Sequence, residues 1–254
     1  MSNPSTSSAD RPVALVTGGG SGLGREIALA LAAADFDVTV TGRTRSTLDA
    51  TAGSADRITA RVMDVRDAAA VHDVFAAVER DHGRLDLLVN NAGVSVRAVP
   101  VEEVAEAEWR DAVDTNLTGM FLCAQAAYAL MKRQQPQGGR IINNGSVSAQ
   151  VPRPYAIGYT ATKHAVSGLT KALALEGRAH RIACGQIDIG NAATDMTAKM
   201  AGGVPQADGT VAAEPTFDAR LVAEAVVHLA RLPLDVNVPF MTMMANGMPL
   251  LGRG

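Results

Sequence analysis

The sequence is short of the features that would tie it to an oxidising compartment, a membrane or a nucleic acid. Its 254 residues include two cysteines, Cys123 and Cys184, and no Cys-x-x-Cys pair, so a reducing environment is expected. No apolar run is long enough to span a bilayer. The net charge of −3, from 23 basic and 26 acidic residues, favours neither nucleic acid nor an anionic membrane as a partner. We therefore expect a cytoplasmic protein.

Aromatic side chains are scarce as well, at 4% of the residues, although 47% of the chain is hydrophobic. A chain of this length and composition is sufficient for one sizeable core. The first residues are rich in serine and lack both a basic start and an apolar run, so residues 1–11 are predicted to be a disordered tail and not a signal peptide. Residues 12–254 are predicted to form one domain.

Short β-branched runs alternate with helical stretches rich in alanine and leucine along the rest of the chain. The runs lie at 13–16, 38–41, 58–62, 85–89, 140–143, 182–187 and 238–243. The helical stretches lie at 23–34, 68–78, 108–133, 159–178 and 221–232. This alternation is typical of a parallel sheet with helices on both faces, and we predict an α/β fold with a doubly wound parallel sheet of about seven strands.

Glycine is concentrated directly after the first predicted strand. The segment there reads Thr17-Gly18-Gly19-Gly20-Ser21-Gly22-Leu23-Gly24 and opens the first predicted helix. Glycines at such a turn allow the backbone to approach a pyrophosphate, whose charge the helix N-terminus stabilises. The spacing departs from Gly-x-Gly-x-x-Gly, and an ordinary glycine-rich turn is the alternative. The position in a strand–helix repeat favours dinucleotide binding.

The end of the second predicted strand bears on the choice of dinucleotide. A carboxylate about twenty residues after the glycines would bind the ribose 2′-hydroxyl of NAD, whereas this chain reads Thr41-Gly42-Arg43-Thr44-Arg45. Arg43 would attract a 2′-phosphate, and a charge pair near a surface is worth roughly 1–4 kcal/mol. Arg43 could instead face the adenine or solvent, and Ser21 adds no second positive charge. We predict NADP(H) as the favoured cofactor, with NAD(H) as the alternative.

Three residues further along the chain could carry acid–base chemistry. Tyr159 and Lys163 are four residues apart in a predicted helix, so both side chains emerge on one face. A nearby ammonium group favours the ionised form of a phenol. Ser146 follows the fifth predicted strand, at the edge where ligands bind in such sheets, and its hydroxyl could stabilise charge on a reacting oxygen. Each residue also has an ordinary explanation, because Tyr-x-x-x-Lys occurs on many amphipathic helices and serine often caps a helix.

Taken together, these motifs resemble those of a known family. The order and spacing of the single-domain short-chain dehydrogenases/reductases are found in Thr17-Gly18-x-x-x-Gly22-x-Gly24, Asn90-Asn91-Ala92-Gly93, Asn116, Ser146 and Tyr159-x-x-x-Lys163. The resemblance runs from about residue 13 to the end of the chain and implies a Rossmann-type fold. It also implies an NAD(P)-dependent oxidoreductase that interconverts a carbonyl and an alcohol by hydride transfer.

The resemblance implies a role for each matching residue. Tyr159 would be the general acid/base, Ser146 would orient the carbonyl oxygen, and Lys163 would bind the nicotinamide ribose and favour the phenolate. Asn116 would hold a water that links Lys163 to solvent. Asp64 would contact the adenine. Further cofactor contacts are expected from Gly20, Ser21, Leu23, Val65, Asn90, Asn91, Ala92, Gly93, Ile189 and Thr194.

The chain departs from the family pattern at the nicotinamide and substrate ends. The segment Ile189-Gly190-Asn191-Ala192-Ala193-Thr194 keeps the spacing of the family's Pro-Gly-x-x-x-Thr but lacks its proline, which leaves the rigidity of this loop in question. Arg153 either pairs with a substrate carboxylate or faces solvent. Residues 190–217 are predicted to form a mobile lid, in which Met196 and Met200 either line an adaptable apolar wall or pack within a helix.

Two other functions use parts of the same pattern. A cofactor-sensing regulatory protein needs the phosphate turn without turnover, and a sugar-nucleotide epimerase or dehydratase uses a different glycine spacing and an added C-terminal domain.

The tail weakly resembles NADP-dependent 3-hydroxy acid dehydrogenases of the family at Leu232-Pro233, Asn237 and Met243-Met244. We expect a small carbonyl or alcohol substrate, no metal ion and, by the resemblance, a homodimer or homotetramer paired through helices 108–133 and 159–178.

Overall fold

The computed structural model describes residues 11–194, 197–198 and 202–250. Nearly all of the predicted tail at 1–11 lies outside the described residues, as do Met196 and Met200. Their predicted roles therefore stay predictions. Among the described residues, no helix combines the length and the apolar character needed to cross a bilayer.

The described chain is built around one parallel sheet of seven strands. Four further strands of two residues each, β7 to β10, lie outside this sheet. In chain order the strands are β1 (Val13–Thr17), β2 (Asp37–Gly42), β3 (Ile58–Val62), β4 (Leu87–Asn90), β5 (Gly139–Asn144), β6 (Ile182–Gly190), β7 (Ala192–Ala193), β8 (Val204–Pro205), β9 (Val211–Ala212), β10 (Phe217–Asp218) and β11 (Phe240–Met244). The sheet has the order β11-β6-β5-β4-β1-β2-β3, and every neighbouring pair is parallel. This confirms the predicted fold class.

Helices cover both faces of the sheet. They are α1 (Gly22–Ala33), α2 (Arg45–Ala52), α3 (Ala68–His82), α4 (Glu106–Val113), α5 (Gly119–Arg133), α6 (Ile157–Gly177) and α7 (Ala219–Ala230). Alternate residues of β1 point to opposite faces: Val16 packs in the cluster with Ile27 of α1 and Val226 of α7, whereas Leu15 packs with Phe75 of α3 and Cys123 of α5. Strands buried on both sides explain why the sequence shows continuous apolar runs there.

The prediction of one continuous helix over 108–133 is wrong, because the helix is interrupted. The structure has α4 and α5 there, joined by a π-helical segment, Asp114–Thr118, which contains Asn116. A π-segment adds a residue to one turn, so it shifts the faces of the flanking helices relative to each other. Hydrophobic periodicity could not locate this shift, because the apolar stripe resumes directly in α5.

Two regions contain elements that the sequence patterns did not predict. Helix α2 is short and consists largely of polar residues with Arg, Ser, Thr and Asp, so its apolar periodicity is weak. The segment predicted as a lid contains the parallel pair β7–β10 and the antiparallel pair β8–β9. These are pairs of two residues each, below the length at which a β pattern can be recognised in a sequence.

Candidate active site

One cleft runs along the carboxyl edge of the sheet, with a cavity volume of about 570 Å³. It spans the point between β4 and β1 where the direction of strand succession reverses, which is where ligands bind in open α/β sheets. Nearly all of the predicted site residues line it: Gly18, Gly20, Ser21, Gly22, Leu23, Gly24, Arg43, Asp64, Val65, Asn91, Ala92, Gly93, Ser146, Tyr159, Lys163, Ile189 and Thr194. Two further predicted residues, Thr17 and Asn116, lie behind these lining residues and are almost completely buried.

The glycine-rich turn has the backbone shape that the sequence predicted. Gly18 and Gly22 have φ angles of +67° and +49°, a region that side-chain-bearing residues rarely adopt. A Cβ on Gly24 would lie 2.2 Å from the carbonyl oxygen of Gly18. Helix α1 therefore begins against the turn, with the N-terminal backbone N–H groups at the cleft, as a phosphate site requires.

The turn is fixed to the end of β4 by the side chains of Thr17, which lies behind the cleft, and Asn91, which lines it. The Thr17 hydroxyl accepts hydrogen bonds from the backbone N–H groups of Asn91 and Ala92, at 3.0 and 2.9 Å. The Asn91 amide donates to the carbonyl oxygens of Thr17 and Gly18, at 3.0 and 3.3 Å, and accepts from the Asn144 amide at 2.9 Å. Both predicted cofactor residues thus hold the strand ends β1, β4 and β5 in register.

The part of the cleft that follows β2 and β3, next to the glycine-rich turn, carries charge of both signs. Arg43 is exposed at its edge, directly after β2. Asp64 is bound by Arg66, whose Nη2 lies 2.6 Å from Asp64 Oδ2 and whose Nη1 donates to Asp111 at 2.7 Å. The hydrogen bonds from Arg66 hold the pKa of Asp64 below its usual value, and the charge of Arg43 adds to this effect. Asp64 is therefore held as an ionised acceptor, and its partner Arg66 is a residue that the sequence reasoning missed.

Lys163 and Tyr159 share one face of α6, as their spacing predicted. The ammonium nitrogen of Lys163 lies 5.5 Å from the centroid of the Tyr159 ring and donates to the carbonyl oxygen of Asn144 at 2.7 Å. Lys163 is 4% exposed, whereas Tyr159 is half-buried. The strand end β5 thereby holds the amine beside the phenol, and Asn144 is a positioning residue that the sequence reasoning missed.

Ser146 lies at the other side of the same cleft and caps the short 3₁₀ helix Val147–Ala149. Its hydroxyl oxygen accepts the backbone N–H of Ser148 at 3.1 Å, so its own proton stays available to donate. Its backbone N–H donates to Asp188 Oδ1 at 3.1 Å. The capping role and the proposed contact with a reacting oxygen are therefore compatible.

Asn116 uses both ends of its amide on the backbone of Val94. Its Oδ1 accepts from Val94 N at 2.8 Å and its Nδ2 donates to Val94 O at 3.0 Å. Nδ2 also lies 3.5 Å from the hydroxyl of Thr162, one residue before Lys163. The π-segment thus joins the loop after β4 to helix α6.

A buried carboxylate at the end of β6 organises the back wall near Ser146. Asp188 is 1% exposed, and its Oδ1 accepts from Gln186 Nε2 at 2.7 Å as well as from Ser146 N. Its Oδ2 accepts from Gln150 Nε2 at 2.8 Å. Gln186 is in turn bound to Thr170 of α6, through Oε1 at 3.0 Å. This network was not predicted, because an isolated Asp in a strand gives no signal of its partners.

The loop that lacks the family proline is held by hydrogen bonds instead. Asn191 has a φ angle of +59°, and its side-chain amide donates to Glu214 Oε2 at 2.8 Å and to the carbonyl oxygen of Pro215 at 3.2 Å. Arg153 joins the same group through Nη2, 2.6 Å from Glu214 Oε2. The solvent-facing alternative for Arg153 is thus wrong, since its side chain is 17% exposed.

No group of three or more His, Cys, Asp or Glu side chains is arranged to hold a metal ion within the part of the chain that the structure describes. Cys123 and Cys184 are buried free thiols. Burial raises the pKa of both to about 12, so both are protonated at neutral pH.

Comparison with known proteins agrees with this arrangement. Residues 12–203 match the family model described as short chain dehydrogenase. The chain is 37% identical to gluconate 5-dehydrogenase of Gluconobacter oxydans over 205 residues, which cover 79% of this chain and 78% of that protein. The chain therefore belongs to the short-chain dehydrogenases/reductases, NAD(P)-dependent oxidoreductases that act on alcohol and carbonyl groups.

Solved structures show the same fold with cofactor bound. Actinorhodin polyketide ketoreductase, solved with NADPH, matches with a TM-score of 0.85 and 30% identity, covering 94% of this chain and 98% of that chain. The 3-ketoacyl-(acyl-carrier-protein) reductase of Brucella melitensis, complexed with NADH, matches with a TM-score of 0.80 and 26% identity over 91% and 96% of the two chains. These relatives bind either nicotinamide dinucleotide, so they support a nicotinamide cofactor without deciding between the two forms.

Proposed function

We propose that the protein interconverts a carbonyl and an alcohol, with NADP(H) as the favoured cofactor and Tyr159 as the general acid/base. The observation that carries this proposal is the placement of Tyr159, Lys163 and Ser146 around one cleft that also contains the glycine-rich turn. A phosphate turn alone would serve a cofactor-sensing regulatory protein as well. Such a protein has no need of a phenol and a buried amine at the substrate end, and we therefore favour the enzyme.

The residues of the cleft fit a dinucleotide. The turn from Gly18 to Gly24 leaves the N-terminus of α1 open to a pyrophosphate, and Asp64 is an ionised acceptor suited to an adenine amine or a hydroxyl. Lys163, Asn144 and Thr194 line the same cleft, which supports Lys163 as the residue that binds the nicotinamide ribose and Thr194 as the contact of the nicotinamide carboxamide. When bound, the nicotinamide ring supplies or accepts the hydride.

The protein's own residues transfer the proton. In the reductive direction Ser146 donates a hydrogen bond to the substrate carbonyl oxygen, which stabilises the negative charge that develops there. The Tyr159 hydroxyl transfers its proton to that oxygen and the phenolate remains. The ammonium of Lys163, whose nitrogen lies 5.5 Å from the centre of the Tyr159 ring, offsets the negative charge that this step leaves on the phenolate. Asn116 holds the Val94 loop and α6 together, and we propose that a water in this region carries the replacement proton from solvent to Lys163.

The surfaces of α5 and α6 support the predicted homo-oligomer. Phe121 of α5 and Leu175 of α6 are 43% and 62% exposed, although each lies in a helix that also packs on the core. Large exposed apolar side chains of this kind are common at subunit interfaces. We propose a homodimer or homotetramer that pairs through these helices, in a cytoplasmic setting.

The proposed function is tested with a panel of ketones, aldehydes and alcohols with each cofactor, followed at the absorbance of the reduced nicotinamide. We expect turnover that Tyr159→Phe lowers by roughly 100-fold or more, as the loss of a general acid/base implies, while the dissociation constant of NADPH changes less than about threefold. Tyr155→Phe is the comparison variant: Tyr155 is an exposed phenol in the same cleft, and its loss should change KM through substrate contact and leave kcat within about threefold. Retention of full kcat by Tyr159→Phe would refute the acid/base assignment.

A further inference from the structure

The substrate end of the cleft contains an arginine that is paired with a buried carboxylate. Nη2 of Arg153 donates to Glu214 Oε2 at 2.6 Å and to Asn191 Oδ1 at 3.0 Å. The side chain of Arg153 is 17% exposed and that of Glu214 is 2% exposed. The two residues are 61 positions apart in sequence, so the contact joins the loop before α6 to the segment before α7.

Glu214 is held in place by more than this one contact. Asn191 Nδ2 donates to Oε2 at 2.8 Å, and Gln206 Nε2 donates to Oε1 at 3.1 Å. Burial by itself raises the pKa of Glu214, but the hydrogen bonds from Arg153, Asn191 and Gln206 outweigh it and the net shift is downward. The carboxylate is therefore ionised at neutral pH, and the pair with Arg153 carries no net charge.

Apolar side chains line the same cleft as Arg153. They include Val96, Val147, Pro154, Tyr155, Val204 and Pro205. Among the described residues that line the cleft, the other charged side chains are Arg43 and Asp64, which follow β2 and β3, and Lys163, whose ammonium donates to the carbonyl oxygen of Asn144 beside Tyr159. Around Arg153 the cleft thus combines apolar side chains with a neutralised ion pair.

We propose that Glu214 is a specificity-determining residue, which occupies Arg153 and thereby makes the cleft select uncharged carbonyl and alcohol substrates over carboxylates. This inference rests on the proposed function, since it describes the substrate of that same site. The sequence left Arg153 either paired with a substrate carboxylate or facing solvent, and it gave no sign of the contact with Glu214.

A substrate carboxylate would have to compete with Glu214 for the guanidinium of Arg153, which is why we expect the cleft to select uncharged substrates. A substrate carboxylate that approached Arg153 would meet the negative charge of Glu214, and like charges at short range repel. Displacing Glu214 would break the contact between Arg153 and a carboxylate that is 2% exposed, and disrupting a buried ion pair is strongly unfavourable. An ester or ketone avoids both costs and gains contact with the apolar wall.

The test compares the keto acid laevulinate with its methyl ester, which differ at one end by a single charge. With the wild-type enzyme and NADPH we expect kcat/KM to favour the ester by at least about tenfold. Glu214→Gln keeps the shape and frees the charge of Arg153, so it should lower the ester-to-acid ratio by about tenfold or more. The double variant Arg153→Met/Glu214→Gln should restore the preference for the ester. Glu224→Gln, the same change on the exposed face of α7, should leave the ratio unchanged.

Calorimetric binding of the two compounds to the wild-type enzyme–NADP⁺ complex gives a readout that does not need turnover. Tighter binding of the ester supports the inference even if Glu214→Gln does not fold. A wild-type complex that binds the acid as tightly as the ester, or fails to bind the ester, overturns it, and so does an unchanged ratio in a folded Glu214→Gln variant. Loss of turnover with retained ester selectivity in binding would contradict the proposed function and not this inference.

Discussion

Replacement of Arg43 gives the sharpest test of cofactor choice. Arg43 is exposed directly after β2, at the adenosine end of the cleft. Two unit charges about 4 Å apart interact by about 1 kcal/mol in water and about 4 kcal/mol near a protein surface. Because Arg43 is exposed, the lower part of this range applies. We expect Arg43→Ala to lower the NADPH-to-NADH ratio of kcat/KM by roughly tenfold, and Arg43→Asp to lower it further through repulsion of the 2′-phosphate.

Arg45 provides a matched control for this experiment. It is a neighbouring exposed arginine, but its Nε donates to Asp49 Oδ1 at 2.9 Å within α2. Arg45→Ala should therefore leave the ratio of kcat/KM for the two cofactors within about twofold of the wild type, since its charge is already paired and screened.

The assay measures initial rates with each cofactor at low and high salt. Since the Debye length falls from about 30 Å at 0.01 M to about 3 Å at 1 M ionic strength, the NADPH preference of the wild type should shrink as salt is added, whereas that of Arg43→Ala should respond less. Equal ratios for the wild type and Arg43→Ala, or equal effects of Arg43→Ala and Arg45→Ala, would refute the electrostatic reasoning.

Two further predictions concern the buried carboxylates. Asp188→Ala leaves the donors of Ser146, Gln150 and Gln186 without their acceptor. Since an unsatisfied buried group costs about 1–3 kcal/mol, the variant should lower the free energy of unfolding in urea by roughly 3 kcal/mol or more. Asp188→Asn keeps an acceptor oxygen and should cost less, so equal losses for the two variants would contradict the hydrogen-bond explanation. The pKa of Glu214 is held below its ordinary value of 4.5, so its contribution to stability is present above that pH and is lost as the pH falls through the lowered value. The melting temperature of Glu214→Gln should therefore lie below that of the wild type at pH 7, and the gap should narrow as the pH falls below 4.5. A constant gap would speak against an ionised Glu214 in the fold.

Local patterns in the sequence were sufficient for the architecture and most of the cleft. A parallel sheet buried on both faces requires continuous apolar strands, and the seven runs predicted from β-branched residues all became strands of one sheet. Spacing within one helix turn placed Tyr159 and Lys163 on the same face, because the α-helical repeat is fixed by backbone geometry. Gly18, Gly22 and Gly24 were informative for a similar reason: the positive φ angles and the 2.2 Å approach exclude larger residues.

Tertiary structure alone decided how distant polar groups meet. The pairing of Arg153 with Glu214, the acceptance of the Ser146 N–H by Asp188 and the contact of Lys163 with Asn144 join residues 61, 42 and 19 positions apart. No periodicity links such positions, since their separation in space depends on strand order and loop paths. Apolar periodicity likewise did not reveal the π-segment at Asn116, where the amide is satisfied by Val94. The sequence alone thus determined which chemistry the cleft could hold, and the packing of the chain decided which of its charges are occupied by internal partners and which are left to face a ligand.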